Sequence, residues 1–232
     1  MIVPQNFNKL EASLDLKFKN KGLLQQAFVH RSYLNEYPDC GLDHNERLEF
    51  LCDAVLELAV TRHLYTNYSN PEGELTAWRA ALVNSKMLSE IAQRLGFNDY
   101  LILSKGETQD TGRARQFILA NTFEAMAGAI YLDRGFEKAE EFVKKNLIKE
   151  LPRILEEKLY CDPKSRFQEE AQEKTGVTPT YEVLGESGPD HAKNFIVGVF
   201  LGDQLIAKGE GPSKQVAQEK AAEAGLKKKK WE

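Results

Sequence analysis

Over the first two thirds of the chain, apolar residues recur at the spacing of amphipathic helices. In KGLLQQAFVHRSYL, Leu23, Leu24, Ala27 and Phe28 share one helical face. LDHNERLEFLCDAVLELAVTRHLYTNY predicts a long helix starting at Asp43 or His44 and broken by SNPEG. ELTAWRAALVNSKMLSEIAQRLG predicts another long helix, with Gly96 in a stop position. ARQFILANTFEAMAGAIYLDRG and EKAEEFVKKNLIKELPRILEEKL complete the helical set. After Tyr160 the pattern changes. CDPKSRFQEEAQEKTG predicts a helix capped by Asp162 with Pro163 at its first position. PTYEVLGESG, KNFIVGVFLG and QLIAKGEG then alternate like strands, and PSKQVAQEKAAEAGLKKKK closes with a helix. The expected architecture is an all-α domain over residues 1–150, a linker at 151–161 with its polar part around Lys158 to Asp162, and a small α-β-β-β-α domain over 162–232.

One helix carries charge against its own pattern. Glu46, Glu49 and Asp53 fall within an arc of roughly 60°, with Phe50 beside it, while apolar side chains cover most of the remaining circumference. A helix apolar nearly all round reads as a core helix, which places these carboxylates inside or at the bottom of a cleft. A buried carboxylate costs several kcal/mol unless it is paired or metal-bound, and Arg47 points away from Glu46. The alternative is a helix end emerging into solvent, with Glu46 favoured by the helix dipole. ANTFEAMAGAIYLD repeats the oddity: Asn121 and Glu124 share a face among Ile118, Leu119, Phe123, Met126 and Ala127. Two such helices packed together bring oxygen ligands to one point, and oxygen-only donors favour Mg²⁺ or Mn²⁺ over zinc.

Composition alters this picture little. The net charge of −4 does not advertise nucleic-acid binding, and residues 162–232 hold 11 Lys and Arg against 12 Asp and Glu. Cys40, Cys52 and Cys161 show no paired spacing and read as reduced thiols. No run nears the ~20 apolar residues of a membrane span, and no signal peptide is apparent. A soluble, cytoplasmic protein is the expectation.

NERLEFLCDAVL is similar to the signature helix of the ribonuclease III family. VHRS upstream, EGELTAWRAALV and ANTFEAMAGAIYLD follow in that family's order, and the α-β-β-β-α tail resembles its double-stranded-RNA-binding domain. The resemblance implies a homodimeric, Mg²⁺-dependent endoribonuclease, with Mn²⁺ able to substitute. It would cut double-stranded RNA to 5′-phosphate and 3′-hydroxyl ends and process structured rRNA, mRNA and tRNA precursors. Carried over by position, Asp53 and Glu124 are the catalytic pair. Glu49, Asp53, Asn121 and Glu124 are the metal ligands, and Glu46 and Glu72 are supporting acidic residues lining the RNA groove or dimer interface. Phe50 packs into the partner subunit, with plain core packing as the other reading. The resemblance places RNA contacts at Gln168, His191, Ser213, Lys214 and Gln218; for His191 an ordinary loop histidine is the alternative.

The sequence departs from the family at three positions. Asn121 stands where the family has Asp, leaving three ligand carboxylates. That is compatible with retained activity, with a change that traps a substrate complex, or with a binding-only relative; a small-molecule hydrolase would not need the tail. Cys52 replaces a glycine as a packing variant. Gln215 stands where a second basic residue is common, which predicts weaker RNA affinity and a shallower salt slope. In KGEGPSKQVAQEK the two glycines, Ser213 and Lys214 are expected to form a phosphate site at a helix start. Lys227 to Lys230 read equally as a solvated tail or as RNA contacts.

Overall fold

The computed structural model describes residues 6–109, 111–160, 162–189 and 193–231. The chain divides into two compact units, Met1–Tyr160 and Cys161–Glu232. In the first, helices α1 (Phe7–Leu14), α2 (Lys21–Ala27), α3 (Arg31–Glu36), α4 (Glu46–Asn67), α5 (Glu72–Leu82), α6 (Ser85–Arg94), α7 (Lys105–Gln109), α8 (Arg113–Arg134), α9 (Phe136–Asn146) and α10 (Leu151–Glu156) surround one apolar core. The long helices α4 and α8 pack on each other, with α6 and α9 flanking α8. No helix among the described residues is long and apolar enough to cross a membrane.

Two expected helices are interrupted, each by a capping side chain. Asn84 divides the predicted 74–96 helix into α5 and α6. Its Oδ1 accepts from Met87 N–H at 2.9 Å and its Nδ2 donates to Ala81 O at 2.8 Å, so one amide closes both helix ends. A short polar side chain competes with the backbone in this way, and apolar periodicity does not register it. In KGLLQQAFVHRSYL the helix stops at Ala27. His30 caps α3, its Nδ1 accepting from Ser32 N–H at 3.3 Å, while Val29 bridges Ile102 in parallel. The segment expected as a linker, 151–161, contains α10, whose Leu151 and Ile154 lie in the helical core; the Tyr160 ring stands 6.0 Å from that of Trp78.

The second unit has α11 (Pro163–Thr175), β1 (Thr180–Ser187), β2 (Asn194–Leu201), β3 (Gln204–Gly211) and α12 (Lys214–Lys229). The strands form an antiparallel sheet in the order β1-β2-β3. Asp162 caps α11 as expected, accepting from Ser165 N–H at 3.1 Å. Phe167 and Ala171 of α11, Val199 and Ile206 of the sheet, and Ala221, Ala222 and Leu226 of α12 make the core, closed by Trp231. An all-α unit followed by an α-β-β-β-α unit is therefore the architecture, as the sequence predicts.

Candidate functional site

The start of α4 is fixed by one buried side chain. Asn45, 2 % exposed, donates its backbone N–H to Val29 O at 2.9 Å and its Nδ2 to Ala27 O at 3.3 Å. Its carbonyl accepts from Leu48 and Glu49 N–H, beginning the helix. Farther along, α8 crosses α4 at Gly128. A Cβ there would lie 2.4 Å from Leu48 O, so only glycine permits this approach. Apolar periodicity marks out neither residue. A glycine in mid-helix, costing up to about 1 kcal/mol against alanine, was the available sign of a close crossing.

This crossing brings together Glu49 and Asp53 of α4 with Asn121 and Glu124 of α8. Glu124 is half-buried, and its carboxyl is pushed up to about 7, first by burial and then by the charges of Asp53 and Glu49. Glu49, also half-buried, is raised by burial and by Glu46 and Asp53, against a hydrogen bond from the Asn121 side chain. Interior placement of the whole acidic stripe is corrected: Asp53 and Glu46 are exposed, so the group lies at a rim. The reason is one-sided packing. Leu48, Cys52, Val55, Leu56, Ala59 and Val60 of α4 face the core, whereas Phe50 (81 %), Leu58 (54 %) and Tyr65 (81 %) lie open. Glu46 stands at the solvent end, with Arg31 Nη1 at 3.4 Å and His44 Nδ1 at 3.8 Å from its carboxylate. Cys52 is fully buried, and burial holds its thiol well above the usual range, so it is a packing residue. Glu72 lies apart from the cluster, in the first turn of α5, where it lines a cleft of about 920 Å³ with Tyr65, Leu75 and Arg79.

As a donor set these residues fit a hard divalent cation. They offer carboxylate oxygens and one amide, with no sulfur or imidazole. Among the described residues no Lys, Arg or His forms an ion pair with Glu49, Asp53 or Glu124, so their mutual repulsion has no protein counter-charge. As placed, no three Asp, Glu, His or Cys side chains among the described residues enclose an ion.

The second unit presents its candidate residues without such strain. Ser213 caps α12, its Oγ accepting from Val216 N–H at 3.3 Å. Lys214 is exposed, its Nζ 5.8 Å from the centre of the Phe195 ring. Gln168 is exposed on α11, while Gln218 accepts from Lys164 Nζ at 2.7 Å and ties α12 to α11. His191 lies outside the described residues. The glycines expected to cradle phosphate have a packing role: a Cβ at Gly209 would fall 2.2 Å from Ala221 N and 2.3 Å from Ala217 O, so β3 lies directly against the α12 backbone. Lys227 to Lys229 form the last turn of α12 and Lys230 its left-handed cap.

Comparison with known proteins agrees with this division. A family model described as Ribonuclease-III-like matches residues 20–151, and the double-stranded RNA binding motif matches residues 163–229. Ribonuclease 3 of Nitratiruptor is 41% identical over 224 residues, 96% of each chain. Ribonuclease 3 of Borreliella burgdorferi is 42% identical over 221 residues, 95% of this chain and 90% of that one. Among solved structures, the nuclease domain of ribonuclease III from Campylobacter jejuni, described as flexible in a region involved in dimer formation, is 40% identical. It covers 63% of this chain and 99% of its own, with a TM-score of 0.57.

Proposed function

The chain belongs to the ribonuclease III family of endoribonucleases acting on double-stranded RNA, and we propose that it works as a Mg²⁺-dependent homodimer. Its products would be 5′-phosphate and 3′-hydroxyl ends, and its substrates structured rRNA, mRNA and tRNA precursors. The observation that carries the reading is that the close packing of α4 on α8 gathers Glu49, Asp53 and Glu124, with no ion-paired protein cation among the described residues to offset them. Glu49, Asp53 and Glu124, with the Asn121 carbonyl, would hold the ion. When bound, it supplies the charge that neutralises a scissile phosphate and makes water more acidic. The chain's own contribution is positional. Asn45 ties the start of α4 to Ala27, Gly128 lets α8 approach α4 closely, Asn121 steadies the Glu49 carboxylate, and Glu124 brings a carboxylate whose charge, opposed by burial and by Asp53 and Glu49, a bound cation would offset.

The exposed apolar stripe of Phe50, Leu58 and Tyr65 on α4 supports a dimer, since a water-soluble helix rarely leaves three large apolar groups open along one face without covering them. Exposed Lys214 and Gln168 support duplex contacts from the second unit. Free Cys40 and Cys52 suit a reducing cytoplasm. Asn121 is the one feature favouring a binding-only protein. Incubation with a long RNA duplex separates the two readings: cutting in Mg²⁺ that stops with EDTA is expected, whereas retention without cutting in Mg²⁺ and in Mn²⁺ identifies the binding-only protein. Asn121→Asp, restoring a fourth carboxylate, should raise the cleavage rate at limiting Mg²⁺; an unchanged rate refutes the role given to that charge.

A further inference from the structure

A second concave site lies in the helical unit, formed by α1, the turn after it, the end of α8 and α9, with a volume of about 720 Å³. Its charge runs against that of the chain. Lys17, Lys21, Arg134, Lys138 and Lys145 line it, opposed by Glu11, Asp15 and Glu141. Two of these acids are already engaged. Glu11, 6 % exposed, pairs with Lys21 and accepts from Phe18 N–H at 2.7 Å, and Glu141 pairs with Lys138 at 2.5 Å. Lys17 and Lys145 have no acidic partner among the described residues. Arg134 gives one N–H to Lys17 O, which leaves most of its planar fork available. Among the described acids lining the cleft, Asp15 is the one without an ion-pair partner.

The cations come from three segments of the chain. Lys17 comes from the turn after α1, Arg134 from the last turn of α8, and Lys145 from α9, on the same helix as Lys138. Arg134 and Lys138 are half-buried, so water screens them less than it screens a surface lysine. Leu14 and Phe142 make an apolar floor that binds no counter-ion. The volume suits a small ligand. A single carboxylate could meet one wall; an anion with two linked phosphoryl groups can meet an arginine fork on one side and an ammonium on the other.

We propose that this cleft binds a small diphosphate-bearing anion, either free pyrophosphate or the diphosphate of a nucleotide. The site is separate from the acidic cluster: Arg134 lies about 15 Å beyond Glu124 along α8. Calorimetric titration of the full chain in EDTA, with pyrophosphate, ADP and adenosine in turn, tests it. The diphosphates should saturate with a Kd below about 1 mM, and adenosine should give no binding. Lys17→Glu and Lys145→Glu, both at exposed positions, should each weaken binding by about tenfold or more. Lys17→Ala and Lys145→Ala should act in the same direction but less, and all four variants should cut duplex RNA at the unaltered rate when no diphosphate is present. ADP binding more tightly than pyrophosphate would mark a nucleotide as the ligand, and equal affinity would mark pyrophosphate itself. Absence of saturation, or affinity unchanged in all four variants, overturns the proposal.

Discussion

The two units carry their candidate residues at different energetic cost. In the helical unit, packing forces like charges together: the Gly128 crossing of α4 and α8 brings Glu49 and Glu124 to positions where burial and neighbouring carboxylates raise both. In the RNA-binding unit, Gln168 and Lys214 are exposed, Ser213 makes an ordinary helix cap, and the core beneath them is complete without them. The acidic cluster is thus built at a cost in stability, whereas the exposed polar residues of the second unit are laid over a fold that is already satisfied. Changes in the first unit should therefore produce large effects of either sign, and changes in the second small, graded ones.

Removing a ligand carboxylate breaks the comparison most severely. Asp53→Ala or Glu124→Ala should lower RNA cleavage by at least about a thousandfold while gel retention of duplex RNA persists. Loss of retention along with cleavage would show that the two units are not separable in this way. Next is Gly128→Ala. At a mid-helix position alanine normally stabilises; here its Cβ meets Leu48 O at 2.4 Å. Unfolding should show a loss of about 1–3 kcal/mol, and a stabilised variant would refute the close crossing.

Glu124→Gln sharpens the contrast with the sign reversed. The folded carboxyl titrates near 7, above its usual value of 4.5. Its charge therefore opposes folding fully above pH 7, and the penalty is gone below about pH 4.5. In EDTA at pH 8 the glutamine variant should be more stable, on the order of 1–2 kcal/mol after discounting solvent at the half-buried site. Thermal melts should converge as the pH falls through 7 towards 4.5. A constant difference across that range would place the effect elsewhere. The smallest change is expected from Lys214→Ala: melting unaltered, duplex affinity modestly weaker, and the slope of log affinity against log salt reduced by about one. A slope that does not move would remove Lys214 from the phosphate contacts.

Much of this was readable from residue order. The strand alternation of NFIVGVFL and the Asp162–Pro163 helix start form where their local patterns place them, and the NERLEFLCD helix forms as well, beginning at Glu46 rather than at Asp43 or His44 because buried Asn45 anchors the turn before it. These features are set by interactions within a few residues, and such interactions are written in adjacent positions. The failures share a cause too. Asn84 and His30 end helices through hydrogen bonds that apolar periodicity does not encode, and α10 joins the core through long-range burial of Leu151 and Ile154.

The sequence by itself determined the order of elements, the family and the residue types available for ion and RNA contacts, because local propensity and side-chain chemistry travel with the residues. Only the tertiary structure decided which side of α4 meets water, leaving Phe50, Leu58 and Tyr65 open and Asp53 at a rim. It alone revealed that Gly209 makes room for α12 and that Gly128 sets the distance between two acidic helices. Exposure and close approach depend on what distant segments cover, and that information resides in no single stretch of the chain.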